Sequence, residues 1–192
     1  MKFGTKAIHA GVTPDPSTGA IMTPVFQTST YVQDSPAKHK GYAYARGANP
    51  TRNALQKSIA ALENGTFGLC FSSGMGATDA VIKLLKPGDE VITSHDLYGG
   101  SYRMFKKVYE KFGIKFHFID LNKVSHIEKF LNENTRLLWL ETPTNPLMNI
   151  VDIQGCVNLV KKITCWWPLT TPSLHPTSKT PSTWVPTSSC IP

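Results

Sequence analysis

Four short segments carry residue types able to hold a flat, anionic ligand. Ser73-Gly74-Met75-Gly76 follows an apolar run and opens a stretch of helical periodicity. Glycines there let the backbone approach an anion, and a helix start offers unpaired N–H groups at the positive end of its dipole. A tight turn that needs small residues accounts for the same segment equally well. Gly74 to Asp79 also half-matches G-x-G-x-x-G, but the third glycine is missing, so the case for a dinucleotide is weak. In His95-Asp96-Leu97-Tyr98-Gly99-Gly100, a tyrosine before two glycines can lay its ring over an aromatic ligand, or simply pack over a flexible turn. In Glu141-Thr142-Pro143-Thr144-Asn145-Pro146, two prolines stiffen a loop that presents the Asn145 amide; a rigid turn with no ligand is the alternative. In Tyr44-Ala45-Arg46, the guanidinium could hold a phosphate through charge-assisted bonds, or sit idle on the surface near a helix start.

Such loops need elements to position them. Residues 1–47 read as an irregular arm, since Gly11, Pro14, Pro16, Gly19 and Pro24 break any period. Asn49-Pro50 is an N-cap followed by proline at the first helical position; Leu55, Ile59 and Leu62 then share one face, and Asn64-Gly65 stops the helix. Phe67 to Phe71 is expected to be a buried strand. The pattern then predicts a helix over 77–85, a turn over 86–89, a strand over 91–93, a helix over 102–112 and a strand over 114–119. A helix over 124–131, a strand over 136–140 and a helix over 151–162 follow. This alternation predicts an α/β fold, a mostly parallel sheet with helices on both faces. Ligands gather outside the carboxyl ends of such strands, where three of the four segments fall.

The net charge of +7 and the 192-residue length fit a single core. Lysines such as Lys106-Lys107 and Lys161-Lys162 are dispersed among acidic residues on solvated faces, which argues against a nucleic-acid stripe. The excess charge serves solubility and suits a small anionic ligand. No stretch is long and apolar enough to span a bilayer, and Met1 to Lys6 leads into mixed sequence without an apolar run. Cys70, Cys156, Cys165 and Cys190 form no C-x-x-C pair, so a reducing cytoplasm is expected and no metal is assigned.

Composition changes at Ile163. Residues 163–192 hold Trp166, Trp167 and Trp184, six of the fourteen prolines, one charged residue (Lys179) and no glycine. Prolines at this density exclude an internal helix or a central strand, and a disordered linker would carry more charge and less tryptophan. Read one frame over from the third base of codon 164, allowed codons yield MLVAVDNTFATPYIQNPLDLGADIVMHS. That is a buried strand, a D-N-T turn and a helical run. Some of these outcomes are forced: Trp166 into Trp167 gives Val, Trp167 into Pro168 gives Ala, and Trp184 into Val185 gives Gly. Residues 163–192 therefore read as a frameshifted, non-native tail.

Tyr44-Ala45-Arg46 running into Asn49-Pro50-Thr51, then Ser73-Gly74-Met75, Asp96-Leu97-Tyr98-Gly99-Gly100 and Glu141-Thr142-Pro143-Thr144-Asn145-Pro146, occur in one order and spacing. That order resembles the pyridoxal-phosphate (PLP) enzymes of Cys/Met metabolism: cystathionine γ-synthase, the cystathionine lyases and methionine γ-lyase. The resemblance covers residues 1–162. It implies a fold-type-I PLP enzyme, truncated, with 1–47 as the arm and 48–162 as part of the PLP-binding domain. By resemblance, the Gly74 and Met75 amides bind the PLP phosphate, and Tyr98 stacks on the ring and helps move protons. Asn145 contacts the ring oxygen and the substrate carboxylate region, and Tyr44 and Arg46 reach the phosphate of a neighbouring subunit in a homotetramer. The substrate would be a sulfur amino acid, in carbon–sulfur cleavage or γ-replacement. The family's ring-nitrogen carboxylate, in a D-N-T segment, and its Schiff-base lysine, in an S-x-T-K segment, do not occur; Lys179 stands in the wrong local order. Such a chain is expected to bind PLP weakly and to be inactive. A non-catalytic chain retaining phosphate binding or subunit contact, and a nucleotide-binding α/β protein, remain the alternatives.

Overall fold

A computed structural model describes residues 2–160 and 169–170. Apart from Leu169 and Thr170, the tail expected over 163–192 lies outside the described residues. The chain divides into two compact units, the first ending at Cys70 and the second starting at Phe71.

In the first unit, helix α1 (Phe3–His9), strands β1 (Gln33–Ser35) and β2 (Lys38–His39), and helix α2 (Pro50–Leu62) follow one another. Helix α2 starts where the Asn49-Pro50 pair places it: the Asn49 side chain accepts from the Thr51 N–H at 2.9 Å and the Arg52 N–H at 3.4 Å. Asn64, with φ of 54°, turns the chain out of it. Two elements depart from the expected irregular arm. Helix α1 buries no residue, but Lys6 Nζ donates to Ala61 O at 3.2 Å and Asn64 Oδ1 at 2.6 Å. It thereby satisfies the end of α2, a reason for order that apolar periodicity does not register. The hairpin β1–β2 is short and fully exposed.

A second departure is larger. The expected buried strand at Phe67 to Phe71 is neither a strand nor buried: Phe67 is 87% and Leu69 76% exposed. A strand is held by a ladder on at least one edge, and among the described residues none pairs with this run.

The second unit contains the expected sheet. Strands β3 (Glu90–Ser94), β4 (Lys115–Ile119), β5 (Thr135–Glu141) and β6 (Leu169–Thr170) pair in parallel, in the order β4-β3-β5-β6. Helix α3 (Gly74–Ile82) precedes them, and α4 (Gly99–Lys107), α5 (Ser125–Glu128) and α6 (Ile153–Val160) connect them. Strand alternation sorts two cores. Val91, Phe116, Leu137 and Trp139 pack with Ile82 of α3 and Phe105 of α4, whereas Ile92, Ile119, Leu138 and Leu140 pack with Ile127 of α5 and Cys156 of α6. Helices thus cover both faces, as expected for a fold-type-I PLP-type α/β fragment.

The predicted helix over 102–112 instead begins at Gly99 and gives way at Val108 to a 3-10 turn, Tyr109–Phe112, closed by Gly113 at φ 80°. The predicted helix over 124–131 is a single turn. Beyond it, Thr135 Oγ1 accepts the Asn132 N–H and Asn132 Oδ1 the Asn134 N–H, which draws the backbone out of the helix. At the amino edge, the Glu90 carboxylate accepts from Asn132 Nδ2 at 2.8 Å and Lys115 Nζ at 3.1 Å, and meets His117 Nε2 at 2.5 Å. Burial opposes the charge, but these three partners outweigh it and hold the carboxyl at about 2. No helix among the described residues is long and apolar enough to cross a membrane.

Candidate functional site

At the opposite edge, outside the carboxyl ends of β3 and β5, the second unit assembles three segments. The first is the start of α3. Ser73 is extended and caps the helix: its Oγ accepts the Gly76 N–H and its carbonyl the Ala77 N–H, each at 3.1 Å. The Gly74 and Met75 amides come before these two and have no acceptor among the described residues. Space is open around Gly74, where an added Cβ would meet nothing within 4 Å.

The second segment carries Tyr98, which precedes α4 and is 46% exposed. Its N–H donates to Glu141 Oε2 at 2.8 Å. The ring folds back over the first turn of α4. A Cβ on Gly100 would lie 2.3 Å from Tyr98 Cε1 and 3.0 Å from Met75 Sδ, so only glycine leaves room for both. The Met75 thioether and the Tyr98 ring are thereby neighbours.

The third segment follows β5. Thr144 and Asn149 close a turn: the Thr144 N–H donates to Asn149 O at 3.0 Å, and the Asn149 N–H to Thr144 Oγ1 at 2.8 Å. The Thr142–Pro143 and Asn145–Pro146 peptide bonds are cis. Asn145 lies exposed on this turn, its amide without a partner among the described residues.

Two carboxylates not singled out from the sequence hold the second and third segments together. Asp96 Oδ2 accepts from the Thr144 hydroxyl, from the Leu147 N–H at 3.2 Å and from Asn149 Nδ2 at 3.2 Å. Glu141 anchors Tyr98. Burial pushes the Glu141 carboxyl above the usual carboxylate range, against the pull of the Tyr98 N–H, the Trp139 indole and the Ser101 hydroxyl. A signal for both was present: each is an acid at the end of an apolar strand, where a charge must find donors.

Tyr44 and Arg46 belong to the first unit, both exposed. The Arg46 guanidinium carbon lies 5.1 Å from the centroid of the Tyr44 ring. Arg52 Nη2 donates to Arg46 O at 3.2 Å and Gly47 O at 2.8 Å, shaping the turn that carries Arg46. Two amides at a helix start with open space beside them, a half-exposed aromatic ring and an unengaged amide suit a flat ring bearing a phosphate. Among the described residues, no cluster of His, Cys, Asp or Glu could hold a metal ion.

Comparison with known proteins gives one answer. The profile of the family described as Cys/Met metabolism PLP-dependent enzyme matches residues 4–170. A probable cystathionine gamma-synthase of Herpetosiphon aurantiacus is 45% identical over 164 residues, which cover 85% of this chain and 51% of that protein. A cystathionine beta-lyase of Coxiella burnetii is 45% identical over 159 residues, covering 82% and 41%. The crystal structure of cystathionine gamma-lyase from Lactobacillus plantarum, complexed with L-serine, superposes with a TM-score of 0.82 at 37% identity, covering 88% of this chain and 44% of that one. The chain spans about half the length of the curated relatives it matches.

Proposed function

The chain belongs to the Cys/Met metabolism PLP-dependent enzyme family, and from that premise we propose that its strand-end loops are the phosphate-and-ring half of a PLP site. The parent enzyme would break or form carbon–sulfur bonds on cystathionine, homoserine esters or methionine. When bound, PLP draws electrons from the substrate's amino-acid carbon, which lets a group at the β or γ carbon leave or be replaced. In this reading, the Gly74 and Met75 amides bind the phosphate, and the Tyr98 ring lies on the cofactor face while its hydroxyl holds a proton. The Asn145 amide orients the ring oxygen and the substrate carboxylate. Tyr44 and Arg46 serve the phosphate of a neighbouring copy in a homo-oligomer, and the reducing cytoplasm is the compartment that suits free Cys70 and Cys156. The observation that carries the reading is the meeting of Met75 and Tyr98 across Gly100, which supports a phosphate end and a ring end served by adjacent residues.

Residues 1–192 supply neither a D-N-T nor an S-x-T-K segment. On this reading the chain holds PLP without a covalent bond, therefore weakly, and does not turn over substrate. Allowed codons restore a D-N-T in the neighbouring frame of the tail, which supports a frameshift near codon 163 as the cause of its loss. Sequencing the gene across that codon tests it: an open shifted frame carrying D-N-T and then S-x-T-K is expected, and stops in that frame refute it. A spectral titration of the chain with PLP and with NAD tests the site. Binding of PLP and not NAD is expected, and the reverse overturns the assignment. Cystathionine turnover abolished by Lys179→Ala would contradict the inactivity.

A further inference from the structure

Strands β3 and β5 are neighbours, with Thr93 opposite Trp139, so the loops that leave them start side by side. Two carboxylates cross between these loops in opposite directions. Asp96, in the loop after β3, holds the turn after β5 through the Thr144 hydroxyl, the Leu147 N–H and Asn149 Nδ2. Glu141, at the end of β5, holds the Tyr98 N–H of the loop after β3. Both acids are almost fully buried, at 5% and 2% exposure. Two neighbouring acids withdrawn from water are a costly way to stabilise a fold, since apolar side chains of similar volume would serve as well. What a carboxylate adds is direction: one oxygen of Asp96 gathers three donors spread over the turn, including side-chain groups of both residues that close it.

We propose that Asp96 is a positioning residue of the site: it fixes the 144–149 turn, and with it the Asn145 amide, at a set separation from the Tyr98 ring before the ligand arrives. The proposal rests on the reading of these loops as a PLP cradle and names the part of the ligand that depends on the clamp. Asn145 and Tyr98 contact the pyridine ring, whereas the phosphate is held at the start of α3, which makes no hydrogen bond to Asp96. Loss of the clamp therefore weakens recognition of the ring and leaves the phosphate donors intact. Ordering the turn in advance removes a cost that binding would otherwise carry. Asp96→Asn keeps the size but offers the Leu147 N–H and the Asn149 amide a weaker, uncharged acceptor.

The test is calorimetric titration of the 192-residue chain with pyridoxamine 5′-phosphate, which lacks the aldehyde that would react with surface lysines. Inorganic phosphate serves as a competitor for the phosphate end alone. Asp96→Asn is expected to weaken pyridoxamine 5′-phosphate about tenfold, with the phosphate inhibition constant unchanged. Asn149→Ala removes a donor of the same clamp, leaves the Thr144–Asn149 closure in place and should give the same split, so the outcome stands even where Asp96→Asn fails to fold. Unchanged affinity in either folded variant, or equal loss of ring ligand and phosphate, overturns the positioning role. Failure of the unaltered chain to bind pyridoxamine 5′-phosphate overturns the cradle itself, a result distinct from a clamp without effect.

Discussion

Leu137, Leu138, Trp139 and Leu140 are no more than 2% exposed, whereas Phe67 and Leu69, in a run just as apolar, are 87% and 76% exposed. The first run is β5, which has β3 on one edge and β6 on the other, with helices over both faces. The second has one backed side. A Cβ on Gly68 would lie 2.3 Å from Gln56 O, so the run leans on α2 there, while Phe67 and Leu69 on either side of it stay bare. Apolarity therefore states what a segment would gain by burial, roughly 25 cal/mol per Å², and the presence of a ladder partner decides whether it collects that gain. An apolar run with bare edges is also a site of association between chains.

The largest effects should separate these two runs. Trp139→Ala is expected to destabilise the second unit by about 3–5 kcal/mol, because the indole is fully buried and meets the Phe105 ring edge-on at 5.7 Å. Leu69→Ser should change the unfolding free energy by less than about 0.5 kcal/mol and reduce aggregation. A cost at Leu69 comparable to that at Trp139, measured by denaturant unfolding, would break the comparison. Joining residues 1–162 to the shifted-frame continuation should sharpen it. On the frameshift reading, the restored chain supplies the later strands, and the same Leu69→Ser then costs about 2 kcal/mol or more. No change between the two contexts would mean that the run is not a strand awaiting its partner.

A smaller effect belongs to the amino edge of β3. Glu90 is held at about 2, below its ordinary value of 4.5, so it is charged in the folded chain at acidities that protonate it when unfolded. Its contribution is present above pH 4.5 and fades as pH falls towards 2. Between pH 6 and pH 2.5, Glu90→Gln should remove part of the acid sensitivity of the unfolding midpoint, about 2 kcal/mol once the solvent screening of exposed Lys115 is allowed for. A variant as acid-sensitive as the parent would place the acid weakness elsewhere.

What the sequence made legible was local or periodic. The Asn49 cap is a matter of two or three residues, and the alternation of Leu137 to Leu140 between two cores follows from strand geometry. Phe67 to Phe71 departs from the expected strand because a strand is a relation between segments, and the run itself carries only one side of it. The loops bearing Gly74, Tyr98 and Asn145 stood out by glycine and proline content and by family resemblance. Asp96 and Glu141 did not, because their bonds join residues 43 to 53 positions apart. Nothing in the composition of either loop states that the other will lie beside it. The short α5 shows the converse: Asn132 and Thr135 lie within a few residues of it, and their side chains compete with the helix for its backbone groups, a contest that apolar periodicity does not register.

Hydrogen–deuterium exchange of the chain with and without pyridoxamine 5′-phosphate tests most directly whether three loops serve one ligand. Peptides covering residues 73–77, 96–101 and 142–149 should gain protection together, over the same concentration range. Protection confined to one of them, or appearing only on surfaces remote from all three, would contradict the account.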